Sequence, residues 1–239
     1  MNIALVGYGK MGKAIEEIAL ERGHKIVLRI NDENLDEFTE GNITKADVAI
    51  EFTGPHSAFE NIKKIIGYRV PVVCGSTGWT DRVNEINDFC KKLNGSFLYA
   101  SNFSVGVNIF FELNKKLAAL MATHPEYNTS MEEIHHTQKK DAPSGTAITL
   151  AEQILEQIKR KTKWVNEESS NTSELSIISK REDPAPGTHS IKYSSAIDDI
   201  KIIHTAHNRQ GFALGAVLAA EFIQDKKGIF SMREVLGIK

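Results

Sequence analysis

The feature that most constrains this chain is Gly7-Tyr8-Gly9-Lys10-Met11-Gly12, a GxGxxG pattern. It directly follows an apolar run at residues 3–6. It opens a stretch over 10–22 whose apolar residues Ala14, Ile15, Ile18 and Ala19 have helical spacing. A strand before and a helix after are the contexts in which this pattern binds a dinucleotide. The first glycine permits the tight turn, the second lets backbone approach a pyrophosphate, and the third lets helix and strand pack closely. Helix N–H groups then face the phosphates. Asp32 stands twenty residues beyond Gly12, at the end of a second apolar run over 26–30, where a carboxylate accepts from an adenosine ribose. An ordinary glycine-rich turn with a solvated aspartate has the same composition, and only the context favours the nucleotide.

The alternation continues. Apolar runs at 48–52, 70–74 and 97–100 are separated by helical patterns, one carrying Phe59, Ile62, Ile65 and Ile66 and another spanning 81–93. Strand-helix alternation with short, continuously apolar strands predicts a parallel sheet covered on both faces. Thr53-Gly54-Pro55 and Gly75-Ser76-Thr77-Gly78 follow the third and fourth runs. They join the first glycine loop at the carboxyl ends of strands, where open α/β sheets bind ligands.

Beyond Asn102 the pattern changes. A helix is predicted over 107–121. Strand-like stretches at 128–136, 190–194 and 200–205 follow, with one helix among them carrying Ala147, Leu150, Ala151, Ile154, Leu155 and Ile158 on one face. Few helices separate these strands, which predicts an α+β domain with an open, mostly antiparallel or mixed sheet. Residues 166–173 are the most polar and read as a surface loop. An apolar helix over 212–223 is placed to return to the first domain.

With 29 Lys+Arg against 31 Asp+Glu the net charge is −2, which argues against a nucleic-acid partner. No apolar run reaches the roughly 18 residues of a membrane span. Two cysteines, Cys74 and Cys90, make no disulfide framework, and a cytoplasmic location is expected.

The densest chemistry runs from Glu133 to Ala147, with His135, His136, Lys139, Lys140 and Asp141 just ahead of the second domain's helix. Ser144 is a plausible N-cap, and Gly145 and Thr146 then form a first turn whose amides make an anion site for a substrate carboxylate. His135 or Lys139 would supply a proton or stabilise developing negative charge. A polar surface loop before a capped helix is the plainer alternative. No metal is expected. His135 and His136 are adjacent and point to opposite faces of a strand, His204 and His207 have odd spacing, and the cysteines are not a CxxC pair.

Glu133-Ile134-His135-His136, Lys139 and Asp141-Ala142-Pro143-Ser144-Gly145-Thr146-Ala147 resemble the signature of the dihydrodipicolinate reductase family, also called 4-hydroxy-tetrahydrodipicolinate reductases. The resemblance extends through the nucleotide loop, Phe52-Thr53, the loop from Gly75 to Gly78 and the run from Ala100 to Asn108. It continues through Gly187-Thr188-His189, His204-Thr205-Ala206-His207-Asn208-Arg209 and the run from Phe212 to Ala216. It implies NADH- or NADPH-dependent reduction of a cyclic dicarboxylate in lysine and diaminopimelate biosynthesis, with hydride going to ring C4 and a proton to C3. His135 and Lys139 are the implied catalytic pair, and His136, Gly145 and Thr146 bind substrate. Gly7, Tyr8, Gly9, Lys10, Met11, Gly12, Asp32, Phe52, Thr53, Gly75, Ser76, Thr77, Ala100, Ser101, Asn102 and Phe103 line the cofactor.

The implied architecture is a Rossmann-type domain over 1–103 and 213–239 and a substrate-binding, tetramerising domain over 104–212. Asp32 favours NADH, with Arg29 and Lys10 as nearby cations that work against that choice. The nucleotide loop is one residue shorter than the common family form, the stretch between Asp32 and Val48 is compressed, and Pro184 and Pro186 stand where apolar residues or glycine are usual. A nucleotide sensor without turnover, and a nicotinamide enzyme acting on another small acid such as aspartate, are the competing readings.

Overall fold

The computed structural model describes residues 1–208 and 210–238, so Arg209 of the His204 segment and Lys239 lie outside the described residues. Along the chain run β1 (Asn2–Val6), α1 (Lys10–Glu21), β2 (Lys25–Ile30), α2 (Glu40–Ile43), β3 (Val48–Glu51), α3 (Ala58–Gly67), β4 (Val72–Cys74), α4 (Val83–Lys92) and β5 (Ser96–Tyr99). There follow α5 (Val105–Met121), β6 (Asn128–His135), α6 (Gly145–Gln157), β7 (Lys163–Val165), β8 (Glu174–Arg181), β9 (Gly187–Ser194) and β10 (Asp199–Ala206). The last elements are α7 (Gln210–Ile223), β11 (Gly228–Phe230) and α8 (Met232–Val235). The chain divides into two compact units, one of residues 1–105 and 210–239, the other of residues 106–209.

The first unit holds a six-stranded sheet in the order β11-β5-β4-β3-β1-β2, parallel throughout. Alternate residues of β1 serve opposite cores. Ala4 and Val6 join Leu28, Ile30 and the α3 residues Phe59, Ile62 and Ile65 on one face. Ile3 and Leu5 join Ile15 of α1 and Ala213, Ala216, Val217 and Ala220 of α7 on the other. This is the Rossmann-type arrangement expected from the continuous apolar runs. The small residues of α7 bring it close to its neighbours. A Cβ on Gly215 would stand 1.7 Å from the Phe103 carbonyl oxygen. The sixth strand, β11, has no counterpart in the sequence reading, because three half-buried edge residues carry no periodicity.

The second unit holds a five-stranded sheet in the order β10-β9-β6-β8-β7. β6 runs antiparallel to β9 and parallel to β8, so the sheet is mixed, as expected. Met131, Leu175, Ile177, Ile191 and Tyr193 pack against Phe110 and Ala118 of α5 and Leu150, Ala151 and Ile154 of α6. The polar stretch 166–173 is the loop between β7 and β8. β8 itself goes unread in the sequence, since Leu175, Ser176 and Ile177 are buried in succession without alternation.

Candidate active site

In the first unit, parallel strands place the loops after β1, β2, β3, β4 and β5 along one carboxyl edge. β1 lies between β2 and β3, so the chain turns to either side of it, the point at which open sheets bind ligands. A cavity of about 590 Å³ opens there, lined by Gly7, Tyr8, Gly9, Asp32, Phe52 and Thr53 among others. Of the sixteen residues expected to line a cofactor, those six line this cavity. Lys10, Met11 and Gly12 belong to the start of α1, and Gly75, Ser76 and Thr77 follow β4. Ala100, Ser101, Asn102 and Phe103 follow β5 at the same edge.

The three glycines of the first loop differ in what requires them. Gly7 has φ +100°, and a Cβ there would stand 2.2 Å from the Phe52 carbonyl oxygen. A Cβ on Gly12 would stand 2.5 Å from the Gly7 carbonyl oxygen. Around Gly9, by contrast, nothing lies within 4 Å of the Cβ position. Gly9 is also the N-cap of α1 and gives it no side-chain hydrogen bond. The protein's own packing does not need a bare residue here, whereas a phosphate approaching the helix terminus does. The loop therefore fits a dinucleotide.

Neighbouring side chains fix the edge. Glu51, fully buried at the end of β3, accepts from the Thr53 amide at 3.1 Å, from the Thr53 hydroxyl and from Cys74 Sγ at 3.1 Å. Burial, reinforced by that carboxylate, pushes the Cys74 thiol up, so it stays neutral. The Phe52 ring lies 5.6 Å from the ring of Phe103 and occupies the space a Gly75 side chain would need. Arg29 Nε lies 3.1 Å from Glu16, and Tyr8 donates its hydroxyl to the same carboxylate.

In the second unit β6 buries alternate residues, Thr129, Met131, Glu133 and His135. The inward phase that carries Met131 into the core thus ends in a carboxylate and an imidazole. Register sets His189 of β9 opposite Glu133, and Arg181 of β8 opposite His135. Glu133 is fully buried. Its carboxylate lies 3.3 Å from His135 Nδ1, 3.2 Å from Arg181 Nη2 and 3.7 Å from His189 Nε2. Both its oxygens accept from the Ser144 amide at 3.1 Å. Burial works to raise the Glu133 carboxyl, but the nearby His135 imidazole and the bonds from the Ser144 amide prevail and hold it well below the usual carboxylate range. His189 is pushed down to about 4, chiefly by burial and then by the charge of His135. Its Nε2 stands 3.1 Å from Ser144 Oγ, and its ring centroid lies 5.1 Å from that of His135.

Glu133, His135 and His189 bring potential metal-ligand atoms within 4.8 Å of one another. The carboxylate among them is already engaged by Arg181 and the Ser144 amide, an arrangement that suits a hydrogen-bonded charge network.

Ser144 caps α6 as expected, its hydroxyl accepting from the Ala147 amide at 3.2 Å. Gly145 and Thr146 form the first turn, and nothing lies within 4 Å of a Cβ position on Gly145. Lys139, in the turn after β6, lies 2.9 Å from Asp141 and is only a quarter exposed. Lys139 holds the Asp141 carboxyl below its ordinary value. His136 follows β6 directly, and Thr137 bonds to Asp183, so the proline-containing loop is tied to the turn that carries Lys139. Sequence reasoning gave no site role to Glu133, Arg181 or His189, all members of this cluster. The signal for Glu133 was a charged residue in the inward phase of an alternating strand, whereas Arg181 ends a strand that was not read.

The comparisons agree with this geometry. Residues 1–103 match the family description "Dihydrodipicolinate reductase, N-terminus", and residues 106–236 match "Dihydrodipicolinate reductase, C-terminus". A 4-hydroxy-tetrahydrodipicolinate reductase of Christiangramia forsetii is 53% identical over 236 residues, covering 99% of this chain and 98% of the relative. The chain belongs to the dihydrodipicolinate reductase family. Another relative so named, from Methanosarcina acetivorans, is 34% identical over 240 residues, covering 99% of this chain and 89% of its own length. A dipicolinate-bound dihydrodipicolinate reductase from Paenisporosarcina sp. TG-14 has the same fold. Its TM-score is 0.78 at 24% identity, with 98% of each chain covered. Both units of this dihydrodipicolinate reductase family member are thus accounted for, and a nicotinamide cofactor is implied by the family and its Rossmann-type domain.

Proposed function

We propose that this chain reduces 4-hydroxy-tetrahydrodipicolinate, whose 4-hydroxyl leaves as water to give the conjugated dihydrodipicolinate ring, to tetrahydrodipicolinate through His135, Lys139 and the N-terminus of α6. The observation that carries the reading is the convergence of a buried imidazole, a partly buried lysine and a capped helix terminus on one short stretch of chain. The Gly7–Gly12 loop, Asp32 and the loops after β3, β4 and β5 would hold a nicotinamide cofactor, which would supply the hydride for C4 of the conjugated ring. Gly145 and Thr146 bind a ring carboxylate, because a helix N-terminus favours an anion. His136 adds a further substrate contact. The ring gains electron density while already bearing two carboxylates, so the cation of Lys139 stabilises the developing charge. His135 or Lys139 delivers the proton to C3.

NADH is the favoured cofactor. Asp32 lines the cavity and would repel a 2′-phosphate, and Arg29 is engaged by Glu16. The working form is a cytoplasmic homotetramer assembled through the second unit. Ile197, Ile200 and Ile203, exposed at and beside the edge strand β10, support that surface. Among the described residues no helix is long and apolar enough to cross a membrane.

A coupled assay tests the reading. Pyruvate and aspartate semialdehyde are condensed by a synthase, and loss of reduced cofactor absorbance is followed after addition of this protein. Oxidation that requires every component is expected. Cofactor binding without oxidation would favour the sensor.

A further inference from the structure

We infer that Glu133 is the positioning residue of this site, one buried carboxylate that is both the counter-ion held against His135 Nδ1 and the anchor of the carboxylate-binding turn of α6. The inference rests on the proposed roles of His135, Gly145 and Thr146, and extends them to a residue that touches no substrate.

The geometry joins three elements. Glu133 sits two residues before His135 on the same face of β6, with its carboxylate 3.3 Å from Nδ1. The same carboxylate receives the Ser144 amide on both oxygens, the residue that caps α6. The distance between the imidazole and the first turn of α6 is thereby set by one rigid group and not by two independent loops. On the other side of the ring, a Cβ at Gly187 would stand 3.1 Å from His135 Nε2, so the bare residue keeps the second nitrogen uncrowded.

The charges around His135 have a definite sign. Glu133 on β6 is the anion. Arg181 on β8 is a cation 3.2 Å from that anion. His189 on β9, pushed down to about 4 by burial, is neutral near pH 7 and adds no competing charge. Lys139 and Asp141, ahead of α6, pair with each other at 2.9 Å and largely cancel. Glu133 therefore stands as the anion set directly against His135 Nδ1, at 3.3 Å.

Glu133→Gln keeps the shape and removes the charge. NMR titration of histidine-labelled protein, with His135→Asn to assign the resonance, should show the His135 midpoint lowered by about one to three pH units. The alkaline limb of the kcat profile should move down with it. The inhibition constant of dipicolinate, used as a probe of the carboxylate site, should rise about tenfold, the scale of a lost bond to a charged group. Arg181→Gln serves as a second variant if the first does not fold, and removes the opposing cation. It should move the same midpoint upward.

An unchanged His135 midpoint in either folded variant would overturn the inference. So would a shifted midpoint with unchanged dipicolinate inhibition in Glu133→Gln. The histidine titration is read without turnover. If it shifts as stated while the wild-type chain fails the coupled assay, the counter-ion role stands and the proposed reaction is what fails.

Discussion

The guanidinium of Arg29 is bound to the carboxylate of Glu16, with Nε 3.1 Å from one oxygen, and the Tyr8 hydroxyl donates to that same carboxylate. Tyr8 also lines the cavity beside β1, together with Asp32. A cation at the end of β2 is therefore neutralised close to Asp32, the residue proposed to meet the adenosine ribose. Bonds from Arg29 hold the Glu16 carboxyl below its ordinary value, so the pair persists at neutral pH. Glu16→Gln should release Arg29 and improve NADPH binding relative to NADH by about tenfold, the scale of one charged contact. Asp32→Ala should weaken NADH more than NADPH. Fluorescence titration with each cofactor reads both, and fixed ratios in the two variants would remove both residues from the selection.

Lys139→Ala should lower kcat by about a hundredfold or more, the usual scale for removing a proton donor or charge stabiliser. Cofactor affinity should not change, because no residue of the nucleotide loop is altered. A near-normal rate in the coupled assay would exclude Lys139 from the chemistry.

Two glycines separate structural from functional need. Gly7→Ala places a Cβ 2.2 Å from backbone at a positive φ, so a lowered melting temperature is expected together with lost nucleotide binding. Gly145→Ala meets nothing within 4 Å and puts a better helix former in the first turn of α6, so the fold should be unaffected or slightly stabilised. Its KM for substrate should nonetheless rise, since the added methyl crowds an approaching carboxylate. Thr146→Val should raise the same KM. An unchanged KM in both would move the carboxylate elsewhere.

His189 gives stability a pH dependence. Its folded value of about 4 lies below the ordinary 6.5, so between these values the unfolded chain binds a proton that the folded chain does not. Stability from this group is full above pH 6.5 and is lost as pH falls toward 4, by up to about 3 kcal/mol. Denaturant unfolding across that window should show the slope, and His189→Gln should flatten it.

The sequence made the first unit readable because its signals were local. The continuous apolar run of β1, the glycines after it and the helical spacing of α1 all lie within about twenty residues. The alternation on β6 and the Ser144 cap were local too. Arg181 and His189 were harder, because their place is set by strand register. Only the pairing of β8 and β9 on either side of β6 brings them to Glu133. Arg29 was visible as a nearby cation, but its pairing with Glu16 depends on how α1 lies on the sheet.

The division of the first unit along the chain has a consequence for synthesis. Ile3, Leu5, Ile15, Val73 and Leu98 form a face that α7 completes, and α7 is translated only after residues 106–209. A ribosome will thus have made the entire second unit while this side of the nascent Rossmann-type sheet is covered by α1 without α7. During that interval the growing polypeptide exposes apolar surface that is buried only when Ala213, Ala216 and Val217 arrive.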